Sequence, residues 1–237
     1  MVAIKHARDG IIKYIKDKKL RVGDKLPPES IFTEYLDVSK STLRESLKLL
    51  KGEGIVNTMH GKGTFISSDI THINDTIDNN LSITEMIIAA GYKPGVNFFQ
   101  RNLVKANSEV AKNLHIPEGS DVLVCKRVRT ADGKPVVYSI DYFTPHLVPG
   151  FLRVEDKNVS IFNYIEKDSK IKIENGFAEL VPFKCTKDLS KKLDYPIDGL
   201  LFLIKQSTID STGNPLIYAV EYLRPDCFRI FVNRKRR

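Results

Sequence analysis

Residues 26–66 read LPPESIFTEYLDVSKSTLRESLKLLKGEGIVNTMHGKGTFI, and the order of elements in this stretch decides the fold. Ile31, Phe32, Tyr35 and Leu36 recur at helical spacing and predict a helix of about two turns. Pro27 and Pro28 suit its extended entry and first turn. The segment Leu36-Asp37-Val38-Ser39 breaks it. Ser39 then opens a second helix, because its hydroxyl can accept from a first-turn N–H that has no partner within the helix. In that helix Leu43, Leu47 and Leu50 share one face, while Ser41, Arg44 and Lys48 share the opposite one, with Lys40 and Thr42 near the start. Gly54 ends the helix. Residues 55–59 and 64–66 predict two strands joined through His60-Gly61-Lys62-Gly63, whose glycines allow the positive φ of a tight tip.

Helix, tight turn, helix and wing, in that order, predict a DNA-reading head. Lysines, hydroxyls and a helix N-terminus can hold phosphate oxygens. Arginine can reach a guanine edge through two hydrogen bonds, worth ~1–3 kcal/mol of discrimination. A basic helical face by itself is an ordinary solvated face; the turn before it and the wing after it favour the DNA reading. The expected contacts are Lys40, Ser41, Thr42, Arg44, Lys48, His60, Gly61 and Lys62.

Outward from this stretch, Ile4, Ala7, Ile11 and Ile15 predict a first helix over residues 2–19. The chain has 237 residues, 42% of them hydrophobic, enough for one large domain or two ordinary ones. Its net charge of +8 favours polyanionic partners. The four basic residues at the end, Arg234-Lys235-Arg236-Arg237, read as a solvated terminus. No run approaches the roughly 20 apolar residues of a membrane span, and the N-terminus lacks a signal-peptide core, so a cytoplasmic protein without a membrane partner is expected. Cys125, Cys185 and Cys227 are widely spaced without a CxxC pair, which predicts buried reduced thiols and no metal site. The five histidines are scattered and no nucleophile–base set stands out, so neither catalytic residues nor a cofactor are expected.

Residues 67–81, rich in Asn, Asp, Ser and Thr, predict a linker, which divides the chain into domains at 1–68 and 82–237 with 69–81 between them. Ser82-Ile83-Thr84-Glu85 has capping-box spacing and opens a helix that Gly91 closes. A weak internal repeat follows. Residues 114–145 and 193–225 each predict two strands around a Gly-containing turn, and a short helix precedes each, roughly over 108–114 and 187–193. Gly133 pairs with Gly213, Pro135 with Pro215, Tyr138 with Tyr218 and Tyr142 with Tyr222. Ser160 caps a helix between the copies, and residues 171–183 predict another strand. The sum is an α+β domain, an antiparallel sheet with helices on one side.

The repeat points to a site. Arg127 and Arg129 lie two apart on one strand and project from one face, shared with Leu123 and Cys125. The equivalent second-copy residues are read as Ser207 and Ile209. A cationic pair present in one copy suggests a task, such as holding a phosphate or carboxylate; the alternative is two solvated arginines on an exposed face.

Residues 4–66 resemble the winged helix-turn-helix domain of GntR-family bacterial transcription regulators. The resemblance rests on Leu26-Pro27 with Glu29, Val38-Ser39-Lys40, Thr42-Leu43-Arg44, Gly54-Ile55-Val56 and residues 61–66. It implies DNA contacts at Arg44 and at the wing tip. Lys40 stands where arginine is usual, and Ser30 replaces another arginine of the pattern. Residues from 82 to 234 resemble the UTRA effector-binding domain of the HutC branch, whose fold is chorismate lyase-like. The LHIPEGSDV segment, the RVRTADGKPVVY hairpin, Ser160-Ile161-Phe162 and residues 222–228 carry this likeness. It implies an effector site formed by Arg127, Arg129, Ser82 or Thr84, Ser160 and Phe162, with Ser139 and Glu221 beside it. An anionic effector is expected, a sugar phosphate or a nucleoside-type ligand among the choices.

The reading that joins these features is a homodimeric, effector-released repressor on a near-palindromic operator. Two others stay open. An enzyme of chorismate lyase-like fold would turn over a metabolite, and a ligand-independent DNA-binding protein would hold its operator whatever metabolite is present.

Overall fold

The computed structural model describes residues 2–52, 54–59, 61–67, 73–76 and 80–232. Within it the chain forms two compact units. One takes Met1–Thr76 with Ala89–Gly91 and Arg229–Asn233, and the other takes Ile77–Ile88 and Tyr92–Phe228. No helix among the described residues is long and apolar enough to cross a membrane.

The first unit packs α1 (Val2–Asp17), α2 (Glu29–Leu36) and α3 (Lys40–Gly52) against the hairpin of β1 (Val56–Met59) and β2 (Gly63–Ile66). Its core takes part of the set the periodicity selects: Ile11 and Ile15 of α1, Phe32 of α2, and Leu43 and Leu50 of α3, closed below by Val56 and Ile66, whereas Ile31 and Tyr35, read on the apolar side of α2, are exposed. Buried Ser46 hydrogen-bonds the carbonyls of Thr42 and Ile4 (2.8 and 2.9 Å), which ties α3 to α1. The turn between α2 and α3 depends on Asp37, whose φ of 51° ends α2 in the left-handed region. Ser39 Oγ then accepts from the Thr42 N–H (3.2 Å), the expected cap. Antiparallel β1 and β2 pair Val56 with Ile66 and Met59 with Gly63, and Lys25 bridges to Phe65 on the hairpin's outer side. Within the stretch expected to be a linker, Ile73–Thr76 form β3, which pairs with the strand Phe228–Phe231, and Ile73 is buried. Residues 69–72, 77–79 and the basic end 234–237 lie outside the described residues.

The second unit is a six-stranded antiparallel sheet. Its strands are β4 (Pro94–Lys105), β5 (Asp121–Ala131), β6 (Lys134–Phe143), β7 (Ile173–Lys184), β8 (Leu200–Asp210) and β9 (Pro215–Leu223), in the order β4-β5-β6-β9-β8-β7. The two hairpins of the repeat meet where β6 pairs with β9, and the tyrosines stack there in matched pairs. Tyr138 lies 6.2 Å from Tyr222 at 21° between rings, and Tyr142 lies 6.2 Å from Tyr218 at 22°. The helices of the repeat also match: α5 (Ser108–Leu114) is capped by Asn107 and α7 (Lys187–Leu193) by Thr186, and each ends on a left-handed residue, His115 or Asp194. The chain closes with β10 (Phe228–Phe231).

Three expectations need correction. β4 was not anticipated: Phe98 and Phe99 are adjacent, and a bulge between Val96 and Phe98 breaks the alternation that would announce a strand. Helices cover both faces of the sheet, not one. α5 and α7 pack on the face of Val122, Tyr138 and Tyr218, while α4 (Ile83–Ala89) and α6 (Ile161–Asp168) border the opposite face, and Ile161 and Ile165 of α6 pack there with Leu123 and Cys125. The repeat is also offset by one residue from its sequence alignment in β8. Both hairpins bulge at the same place, Arg129/Thr130 in the first and Thr208/Ile209 in the second, so the counterparts of Arg127 and Arg129 are Gln206 and Thr208. Ser207 points to the other face, where its hydroxyl donates to Asn113 (3.1 Å). The extra residue of the second copy lies in the turn Asp210–Asn214, not before the strand.

Candidate functional site

The first unit offers a polar surface on α3. Lys40, Ser41, Arg44 and Lys48 are exposed and Thr42 is half-buried. Ser39 Oγ lies 2.9 Å from the hydroxyls of both Ser41 and Thr42, so the start of α3 is a cluster of hydroxyls around its cap. Glu45 stands on the same side and pairs with Lys48 at 2.6 Å. Arg44 donates through Nε to both oxygens of Glu29 (3.3 and 3.0 Å), which leaves its two terminal nitrogens without a protein partner among the described residues. That leaves the fork geometry guanine recognition uses. A groove separates the α2–α3 side, at Pro28, Glu29 and Leu47, from the wing, at Met59, Lys62 and Thr64. Gly61 and Lys62 are exposed at the wing tip, where Gly61 has a φ of 72°. His60 lies outside the described residues.

In the second unit the sheet face away from α5 and α7 holds a cleft. Alternation along four adjacent central strands aims Arg127 and Arg129 of β5, Ser139 of β6, Glu221 of β9 and Thr208 of β8 at it. The starts of α4 and α6 overhang it with Ser82, Thr84, Ser160 and Phe162. All eight residues expected from sequence therefore line one cleft. The alternative of solvated arginines does not hold, since Arg127 is 5% exposed and Arg129 is 2% exposed.

Arg127 Nη1 donates to the carbonyl of Val159 (3.0 Å), just before the cap of α6, and Nη2 donates to Asp141 Oδ2 (3.0 Å). Arg129 Nη2 donates to the hydroxyl of Thr84. The Nε atoms of both arginines are buried with no hydrogen-bond partner among the described residues. Burial, reinforced by the neighbouring Arg127 charge, pushes Arg129 down to about 9. Buried cations with donors still unsatisfied are what an acidic ligand would complete.

Two expected residues are committed to local structure. Ser82 Oγ accepts from the Glu85 N–H (3.3 Å) and Glu85 Oε2 accepts from the Ser82 backbone N–H (2.8 Å), the reciprocal capping box of α4. Ser160 Oγ accepts from the Asn163 N–H (3.4 Å) and caps α6. The sequence reading did not single out Asp141, Gln206 or Thr208, which share the cleft. Asp141 could have been found: it stands at the first-copy position that corresponds to Glu221.

The comparisons with known proteins agree with this geometry. The family described as the UTRA domain matches residues 89–229, and the family described as bacterial regulatory proteins, gntR family, matches residues 3–66. The HTH-type transcriptional repressor NagR of Bacillus subtilis is 27% identical over 212 residues, covering 90% of this chain and 86% of its own. The HTH-type transcriptional regulator GgaR of Escherichia coli is 25% identical, covering 92% and 85%. The crystal structure of a possible regulator YydK from Bacillus subtilis superposes with a TM-score of 0.60 at 23% identity, covering 99% of this chain and all of that one (100%). PhnF from Mycobacterium smegmatis does so with a TM-score of 0.63 at 20% identity, covering 98% and 100%.

Proposed function

Because the chain belongs to the GntR family of bacterial regulatory proteins, with a DNA-binding head and a UTRA domain, we propose that it is a repressor released from its operator by an acidic small molecule held in the cleft over the sheet. The observation that carries the effector side is the pair of buried arginines, Arg127 and Arg129, with unsatisfied donors in a cleft lined also by hydroxyls. Repression is supported by NagR, a relative named a repressor. The DNA side rests on the exposed Lys40, Ser41, Arg44 and Lys48 of α3 with half-buried Thr42 beside them, on Gly61 and Lys62 at the wing, and on His60 as read from the sequence. Arg44 reads a base while the lysines, hydroxyls and wing tip hold phosphates. Lys40 is a point charge and suits phosphate better than a base edge. The working form is a cytoplasmic homodimer on a near-palindromic site, because two heads then read two half-sites.

The test has two arms. Purified protein is used to select its operator from genomic fragments, and binding is measured by fluorescence anisotropy. Arg44→Ala should lose ~1–3 kcal/mol of specific affinity, with non-specific binding far less affected. Unchanged preference for the operator would remove Arg44 from the reading. In the second arm, phosphorylated sugars, nucleosides and small acids are screened by thermal shift, since a ligand selective for the native state raises the midpoint. A hit that raises the midpoint without weakening operator binding would contradict release by that ligand.

A further inference from the structure

Asp141 has no role in the reading above, yet it is 6% exposed and lines the same cleft. A carboxylate this deep needs a partner, and Arg127 supplies it at 3.0 Å. With its other terminal nitrogen on the Val159 carbonyl, Arg127 is held from two sides and its charge is cancelled at contact distance. Arg129 differs. Its hydrogen bond goes to a neutral hydroxyl on Thr84, and no salt bridge to it is found among the described residues. Ser139 stands between the two systems, its hydroxyl 3.5 Å from Asp141 Oδ2.

The repeat sharpens the contrast. Asp141 and Glu221 occupy corresponding positions in the two copies, whereas Arg127 and Arg129 correspond to Gln206 and Thr208. An acid at this position belongs to both halves of the scaffold, while the cations belong to one. With Arg127, Arg129, Asp141 and Glu221 all on its walls, the cleft carries as many acids as bases. Each negative charge a ligand brings meets the two acids already on these walls, so a doubly charged ligand meets about twice the repulsion of a singly charged one, which is costly beside buried side chains.

Resting on the effector reading, we infer that Asp141 is the built-in counterion of Arg127, so that Arg129 carries the anion-holding charge, and that the cleft takes a ligand with a singly charged acidic group, such as a carboxylate, in preference to a doubly charged phosphate monoester. Arg127 is then a positioning residue. It fixes Asp141 and the segment before α6, and Ser160 and Phe162 overhang the cleft from there. Removing Asp141's charge should uncover a second cation and shift the preference toward phosphate.

The test uses the full chain and three variants: Arg129→Gln, Asp141→Asn, and Arg127→Met combined with Asp141→Leu. Acetate and inorganic phosphate serve as probes at pH about 8, where the phosphate is mostly a dianion and acetate a monoanion. Affinity is read by calorimetry, and the thermal midpoint checks that each protein is folded. Arg129→Gln should lose both anions. The double variant should lose markedly less acetate affinity than Arg129→Gln does, because a matched pair has been removed and Arg129 keeps its charge. Asp141→Asn should bind phosphate about tenfold more tightly, the effect of ~1.4 kcal/mol of uncovered charge. Such a gain is something a purely structural counterion would not produce. The inference is overturned if the double variant loses acetate as completely as Arg129→Gln does, or if Asp141→Asn leaves phosphate affinity unchanged. If neither the parent nor Asp141→Asn binds either anion, the acidic-effector reading itself fails, and that outcome is distinct from the other two.

Discussion

Arg129 is a cation enclosed by protein, and its protonation should be visible in binding. Burial and Arg127 bring it down to about 9, well below the ordinary arginine range. Below the lowered value the folded protein bears the full cost of keeping this group charged. As pH rises from about 9 toward the unfolded value, the native form sheds that proton first and the cost is relieved. Stability through this group therefore rises with pH in that window, while its hold on an anion falls. Acidic-ligand affinity should be flat from neutrality to about pH 8 and drop as pH passes 9, as calorimetry in non-coordinating buffers would reveal; the drop should be absent in Arg129→Gln. Arg44 is a different kind of residue. Its pair with Glu29 is exposed, worth ~0–1 kcal/mol, so it can orient the guanidinium without holding it back from DNA. The type and position of Arg44, Arg127 and Arg129 were legible in sequence. The partners Glu29 and Asp141 were not, because each lies across a turn or a strand pairing from the arginine it meets.

Among the elements, α7 shows how a short helix is fixed by residues remote in sequence. Arg224, just beyond β9, donates through Nη1 to the carbonyls of Leu193 (2.8 Å), Asp194 (3.0 Å) and Pro135 (3.2 Å), and its Nε and Nη2 pair with Asp226 (3.1 and 2.8 Å). It thus satisfies the open C-terminal carbonyls of α7 and the edge of β6 together. Arg224→Ala should destabilise the protein by ~1–3 kcal/mol, the range for leaving buried acceptors without their hydrogen bonds, since Asp226 itself is half-exposed. Chemical denaturation would measure it, and a loss below ~1 kcal/mol would show that water replaces these contacts. The register of β8 carries the other lesson at this scale. Period-two alternation means that a one-residue misalignment exchanges faces, so the counterparts of the two arginines are Gln206 and Thr208, which line the cleft, and not Ser207 and Ile209. Matching glycines in the two turns could not reveal that the added residue sits inside the second turn.

For the molecule as a whole, the proposed regulation depends on mass action between states. A ligand shifts operator binding only by the ratio of its affinities for the two head arrangements, and by reciprocity the operator weakens the ligand by the same factor. Saturating operator should therefore reduce effector affinity as much as saturating effector reduces operator affinity, and a measured inequality would break the two-state description. A dimer should protect two half-sites centred ~34–36 Å apart or a multiple of that. Footprinting with sedimentation at the same concentration checks this, and a monomer that protects the full site would refute the dimeric form.

The sequence by itself determined the local elements of the head, because helix period, cap and glycine tip are short-range properties of residues 26–66. It also determined the capping box at Ser82, the repeated helices and hairpins, and the face on which the two arginines stand, since these follow from alternation along a single segment. Tertiary structure decided what lies beside those arginines. The cleft requires four strands to pair in register and the starts of α4 and α6 to be brought over them. The Arg127–Asp141 pair depends on which residues oppose one another between β5 and β6. Such pairings are set by the packing of the entire sheet, and no stretch of chain encodes them alone.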